Sequence, residues 1–73
     1  MLAAALLTAE TAADCPLLLD RTRAAMEAGP VLKEELATGV MWLRLEAEEA
    51  LAAGDAATCL ELARRAAALV GAD

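Results

Sequence analysis

The sequence predicts an all-α fold, a small antiparallel three- or four-helix bundle ending in a helical hairpin, with residues 1–73 forming a single helical domain. Three observations predict it. Ala, Leu, Glu, Arg and Met, all good helix formers, dominate the chain. Ile, Phe and Tyr are missing, leaving Val, Thr and one Trp as the strand formers. The strong breaks fall only at Asp14-Cys15-Pro16, Gly29-Pro30, Gly39 and Gly54-Asp55. They leave short connections, and short connections between helices make antiparallel neighbours. Much of the 60% hydrophobic composition is Ala, whose methyl removes little surface from water, so the core is thin. A domain this small gains stability from oligomerisation.

The first segment, Leu2 to Ala13, places Leu2, Leu6, Ala9 and Ala13 on one stripe, with Glu10 and Thr11 facing away. Its apolar start, Met1 to Ala9, has no basic residue before it, and Glu10 cuts it short, so it reads as a core helix rather than a signal peptide. Asp14 or Cys15 then precedes Pro16, a residue suited to a first helical turn. The segment Leu17 to Ala28 turns Leu18, Thr22, Ala25 and Met26 inward and sets Asp20, Arg23 and Glu27 outside as ion pairs. The pattern leaves open whether these two segments are separate helices or one. Gly29 supplies a C-terminal cap, and Pro30 starts the next helix.

The third segment, Val31 to Ala53, carries the most information. Leu32, Leu36, Val40, Leu43, Ala47, Ala50 and Leu51 recur by threes and fours and form its core face. Ala37, Met41, Leu45 and Ala52 form a second stripe on another side. A small domain buries both stripes only if this helix is central; otherwise the second is an interface. Trp42 lies between them on a flank with Glu35 and Glu49. The commoner role for such an indole is to cover the edge of the core. Its functional role is an interface anchor, since Trp, Met and Arg are enriched there. The candidate partner-binding residues are therefore Ala37, Met41, Trp42, Arg44 and Leu45. Gly39, just before them, either loosens the helix or permits close helix approach. Gly54-Asp55 ends this helix and restarts the last, Ala56 to Val70. There Cys59, Leu62, Ala63, Ala66, Leu69 and Val70 face inward, and Glu61 is spaced to pair with Arg65.

Composition also weighs against several functions. The chain has no His, Ser, Asn, Gln or Tyr, which removes the commonest general base, the usual hydroxyl nucleophile and the side-chain amides of an oxyanion hole. The expectation is a protein that is not an enzyme and has no catalytic residue or cofactor. Glu34-Glu35 and Glu48-Glu49 are adjacent pairs, and adjacent helical residues point about 100° apart; helical di-metal sites also add a Glu-x-x-His element missing here. No metal site is expected. A formal charge of −6 speaks against direct binding to nucleic acid or to an anionic membrane. The acids are interspersed with Arg21, Arg23, Arg44, Arg64 and Arg65, as on a surface kept soluble by charge. No uncharged run reaches the about 20 residues that span a bilayer. Cys15 and Cys59 form no CxxC pair and read as two small thiols in a reducing compartment, so the localisation expected is cytoplasmic; a bridge between them would require export.

Residues 40–73 resemble one tetratricopeptide-type helical hairpin, close to the about 34 residues of that repeat. Anchored on Gly54-Asp55, the frame puts Ala47, Cys59 and Ala66 at the family's small positions, while Ala50 and Ala63 stand where the family packs bulky rings. The resemblance implies hairpin geometry and protein binding. The function expected is a non-catalytic protein–protein interaction module, an adaptor, small chaperone or assembly component, that forms a homodimer or larger assembly. The alternative is an acidic mobile-element inhibitor, of the anti-CRISPR or anti-restriction type, that blocks a nucleic-acid-binding enzyme.

Overall fold

The computed structural model describes residues 2–29 and 31–72, with side chains from Asp14 onward. Within them are three helices and no strands: α1 (Leu2–Ala28), α2 (Glu34–Ala52) and α3 (Ala56–Val70). The break considered at Asp14-Cys15-Pro16 does not occur. Helix α1 runs through Pro16, so the fourth helix is not formed. A proline within a helix removes one N–H donor and costs about 3 kcal/mol. Here its ring is exposed, and the helix is held on the α3 side by the adjacent buried Cys15 and then by Leu19 and Thr22. At about 1.5 Å per residue the helix is about 40 Å long. It accounts for the molecule's 44 Å long axis. The stripe Leu2, Leu6, Ala9 and Ala13 lies outside the described side chains.

Helix α2 begins three residues later than the pattern predicts. Val31, where the predicted segment starts, is 99% exposed, Lys33 is the extended N-cap residue, and Pro30 lies outside the described residues. Glu34 and Glu35 fill the first turn, where carboxylates complement the positive end of the helix dipole. The predicted core face is the one that turns inward. Val40 and Ala47 are fully buried, and Leu36, Leu43, Ala50 and Leu51 are half-buried around them.

The α2–α3 turn follows from two residues. Gly54 takes φ +82°, and the amides of Gly54 and Asp55 donate to the carbonyls of Leu51 and Ala50 at 3.0 and 2.8 Å, closing the end of α2. Asp55 then caps α3: its Oδ1 accepts from the Thr58 amide at 3.1 Å, and the hydrogen bonding to Thr58 holds its carboxyl below the ordinary value. Three residues thus reverse the chain into the expected antiparallel hairpin.

Helix α3 is the middle element. It packs along both α1 and α2, which barely meet each other. Its inward residues explain this. Cys59, Ala63, Ala66 and Ala67 are fully buried and small, so neighbours approach closely on two sides. Leu60 is buried as well, whereas Leu69, expected inside, is exposed. The core joins Cys15 and Leu19 of α1, Ala47 of α2, and Cys59 and Ala63 of α3. Thr22, the one buried polar side chain among the described residues, donates its hydroxyl to the Leu18 carbonyl at 2.8 Å and so keeps its hydrogen bond inside the core.

The two cysteines correct the sequence reading. Cys15 and Cys59 are not thiols but a disulfide, fully buried, with Cα atoms 6.1 Å apart. The bond fastens the middle of α1 to the first turn of α3. Of the two readings of Gly39 the structure removes one: a Cβ there would meet nothing within 4 Å, so no close helix approach requires glycine. Replacing Gly39 by Ala therefore relieves only the entropy cost of glycine in a helix. It is expected to stabilise the fold by about 1 kcal/mol and raise the melting temperature by about 4–8 °C, measured by circular dichroism. A fall in melting temperature would show that α2 needs flexibility at that point.

Candidate interaction surface

Because α3 occupies the middle, α2 has a neighbour on one side only. Its second stripe is left uncovered. Met41 is 46% exposed, Trp42 57% and Leu45 42%, although each is large and apolar. Helix geometry makes them one patch: Met41 and Leu45 stand one turn apart, and Trp42 lies three residues before Leu45. Ala37 and Arg44, the other two predicted contact residues, are half-buried on the flank of the patch.

Arg44 is turned to a different task. Its Nη1 reaches Met26 Sδ on α1 at 4.0 Å, and its Nε is buried without a hydrogen-bond partner. It bridges α1 and α2, where the two helices otherwise hardly touch. The five residues thus separate into an outward trio, Met41, Trp42 and Leu45, and two that lean back towards the fold.

Charge is segregated in space although it is mixed in sequence. Glu34, Glu35, Glu46, Glu48 and Glu49 are all exposed on α2, where the one basic residue within the helix is the half-buried Arg44. Arg21 and Arg64 instead flank a groove between α1 and α3 that no residue of α2 lines, with Asp14 beside them. Neither forms an ion pair among the described residues. The pairs that do form are Asp20–Arg23 at 3.4 Å and Glu61–Arg65 at 2.9 Å, both exposed; Glu27 joins neither. Exposed pairs of this kind contribute little to stability.

The groove was not legible in the sequence. Leu60 sits among residues that read as an ordinary core stripe, and Arg64 as a water-facing residue. One signal existed in Leu17-Leu18-Leu19: three consecutive helical residues cannot share a face. Leu17, 58% exposed, is the one left outside.

No group of three or more His, Cys, Asp or Glu side chains is placed to hold a metal ion among the described residues, and none of their helices is long and apolar enough to cross a membrane. Comparison with protein families, curated proteins and solved structures returns no match.

Proposed function

We propose that the protein is a non-catalytic interaction module whose contact surface is the outer face of α2, centred on Met41, Trp42 and Leu45. One observation carries this reading: three large apolar side chains, each more than two-fifths exposed, adjoin on a helix whose opposite face already supplies the core. Small proteins tolerate single exposed apolar residues, whereas a contiguous group that includes Trp and Met has the composition of an interface centre. Self-association as a dimer or larger assembly fits the thin, Ala-rich core, which gains from any further burial.

The tetratricopeptide-type pattern points the same way. The three positions that its frame requires to be small, Ala47, Cys59 and Ala66, are fully buried. Repeats of that kind bind proteins.

A second reading draws on the five glutamates of α2, an acidic face suited to the basic groove of a nucleic-acid enzyme. Salt separates the two. An acidic inhibitor loses its partner steeply as ionic strength rises, whereas an apolar contact does not. The cytoplasmic placement rested on reduced thiols, and the Cys15–Cys59 bond removes that support, because such bonds persist in oxidising compartments. We accordingly favour an exported or otherwise oxidised setting, which thiol trapping on protein taken directly from its cells would test.

The contact surface is tested by affinity capture from the native cell with the wild type and with a Met41→Glu, Leu45→Glu variant, read by mass spectrometry. Both positions are exposed, so the variant is expected to keep its helical spectrum while losing the captured partner. Recovery of the same proteins in the same amounts by the two forms would remove the α2 face from consideration.

A further inference from the structure

We propose that the groove between α1 and α3 receives the outer face of α2 from a second copy of this chain, so that copies join head to tail. The inference rests on the reading of that face as a contact surface and supplies its partner. The groove is lined by Leu17 and Leu18 of α1 and Leu60 of α3, with Arg21 and Arg64 from the two helices and Asp14 beside them. It continues over α3 past Ala57 to the Glu61–Arg65 pair. No residue of α2 lines it.

A groove of mixed lining, three leucines with two arginines that form no ion pair among the described residues, suits an amphipathic helix whose apolar stripe is flanked by carboxylates. The outer face of α2 has that pattern. Met41, Trp42 and Leu45 form the stripe, and Glu46, Glu48 and Glu49 follow within one turn. The match is one of sign. Within a chain of net charge −6, Arg21 and Arg64 flank the groove beside the carboxylate of Asp14, while Glu34, Glu35, Glu46, Glu48 and Glu49 are exposed on α2. Opposed charges of this kind set the register of a contact and exclude the like-charged alternative of two α2 faces meeting. That alternative would set five glutamates against five.

The two surfaces belong to different parts of the fold. When the face of one copy fills the groove of the next, one face and one groove remain open, so the contact is heterologous and extends until a ring closes.

Sedimentation velocity over a concentration series tests this with three proteins. The first is the wild type, the second a groove variant, Arg21→Glu with Arg64→Glu, and the third a face variant, Met41→Glu with Leu45→Glu. All four positions are solvent-facing, and matching helical spectra and melting temperatures check that each variant folds. The expected result is concentration-dependent growth beyond a dimer for the wild type and a monomer for each variant alone. An equimolar mixture of the two variants stops at a dimer, because the intact face of one enters the intact groove of the other and both remaining surfaces are inactive. A mixture that stays monomeric overturns the proposal. A groove variant that still associates while the face variant does not also overturns it, but leaves the α2 contact surface standing. Undiminished association of the face variant removes both readings, and a wild type monomeric at every concentration removes the self-partner alone.

Discussion

Reduction of the Cys15–Cys59 bond is expected to unfold most of the protein at room temperature. The bond closes a loop of 44 residues in sequence separation, and a cross-link of that span removes enough freedom from the unfolded chain to stabilise the fold by about 4 kcal/mol. A domain of this size with one thin core has a total stability of only about 3–5 kcal/mol from that core. The bond also acts at a weak point. Pro16 follows Cys15 directly, and α1 has almost no contact with α2, so the attachment of α1 rests on α3 and on this link. Thermal unfolding with and without a phosphine reductant should differ by about 15–30 °C in midpoint, and the reduced form should lose much of its helical signal at 25 °C. Intact mass before and after reduction and alkylation establishes that the bond was present. Coincident melting curves of the oxidised and reduced forms would show that packing alone holds α1 on α3.

The sequence was most informative where a single physical rule acts locally. The core face of α2, Val40 and Ala47 above all, follows from helical spacing alone, and it is the face that turns inward. The same holds for Gly54 and Asp55, where a left-handed residue followed by a carboxylate cap sets the turn without help from the rest of the molecule. Pro16 and Cys15 were misleading because their neighbours in space decide their role. A proline read locally starts a helix; held beside Cys15, which is bonded to Cys59 on α3, it lies within one. The pairing of the cysteines is itself a three-dimensional fact that a sequence separation of 44 conceals. Charge segregation was hidden in the same way: Arg21 and Arg64 are 43 positions apart and meet only because α1 and α3 lie side by side. Met41, Trp42 and Leu45 are intermediate. Their spacing marks a second stripe, but its exposure depends on which helix is central, and helical spacing alone does not choose α3 over α2.

Ala63→Leu tests that choice. Ala63 is fully buried where α3 meets both of its neighbours, in one cluster with Cys15, Leu19, Ala47 and Cys59. The isobutyl group of leucine adds three carbons at a junction of small side chains, one of which is fixed by a covalent bond. Neither neighbour yields freely: α1 is tied to α3 by the Cys15–Cys59 bond, and α2 by the three-residue turn at Gly54. Overpacking of a close-packed site costs about 1–3 kcal/mol, and with both flanks constrained the upper end of that range is expected. Ala68→Leu is the matched control. It lies on the same helix, is solvent-exposed, and changes helix propensity by the same small amount. Chemical denaturation of the two variants should therefore give nearly the whole difference at position 63, with a lower midpoint and an unchanged slope. Equal midpoints would mean that α3 has room on one side and is not the middle helix. The stripe on α2 would then lose the physical reason for its exposure, since α2 stands uncovered only because α3 takes the central place.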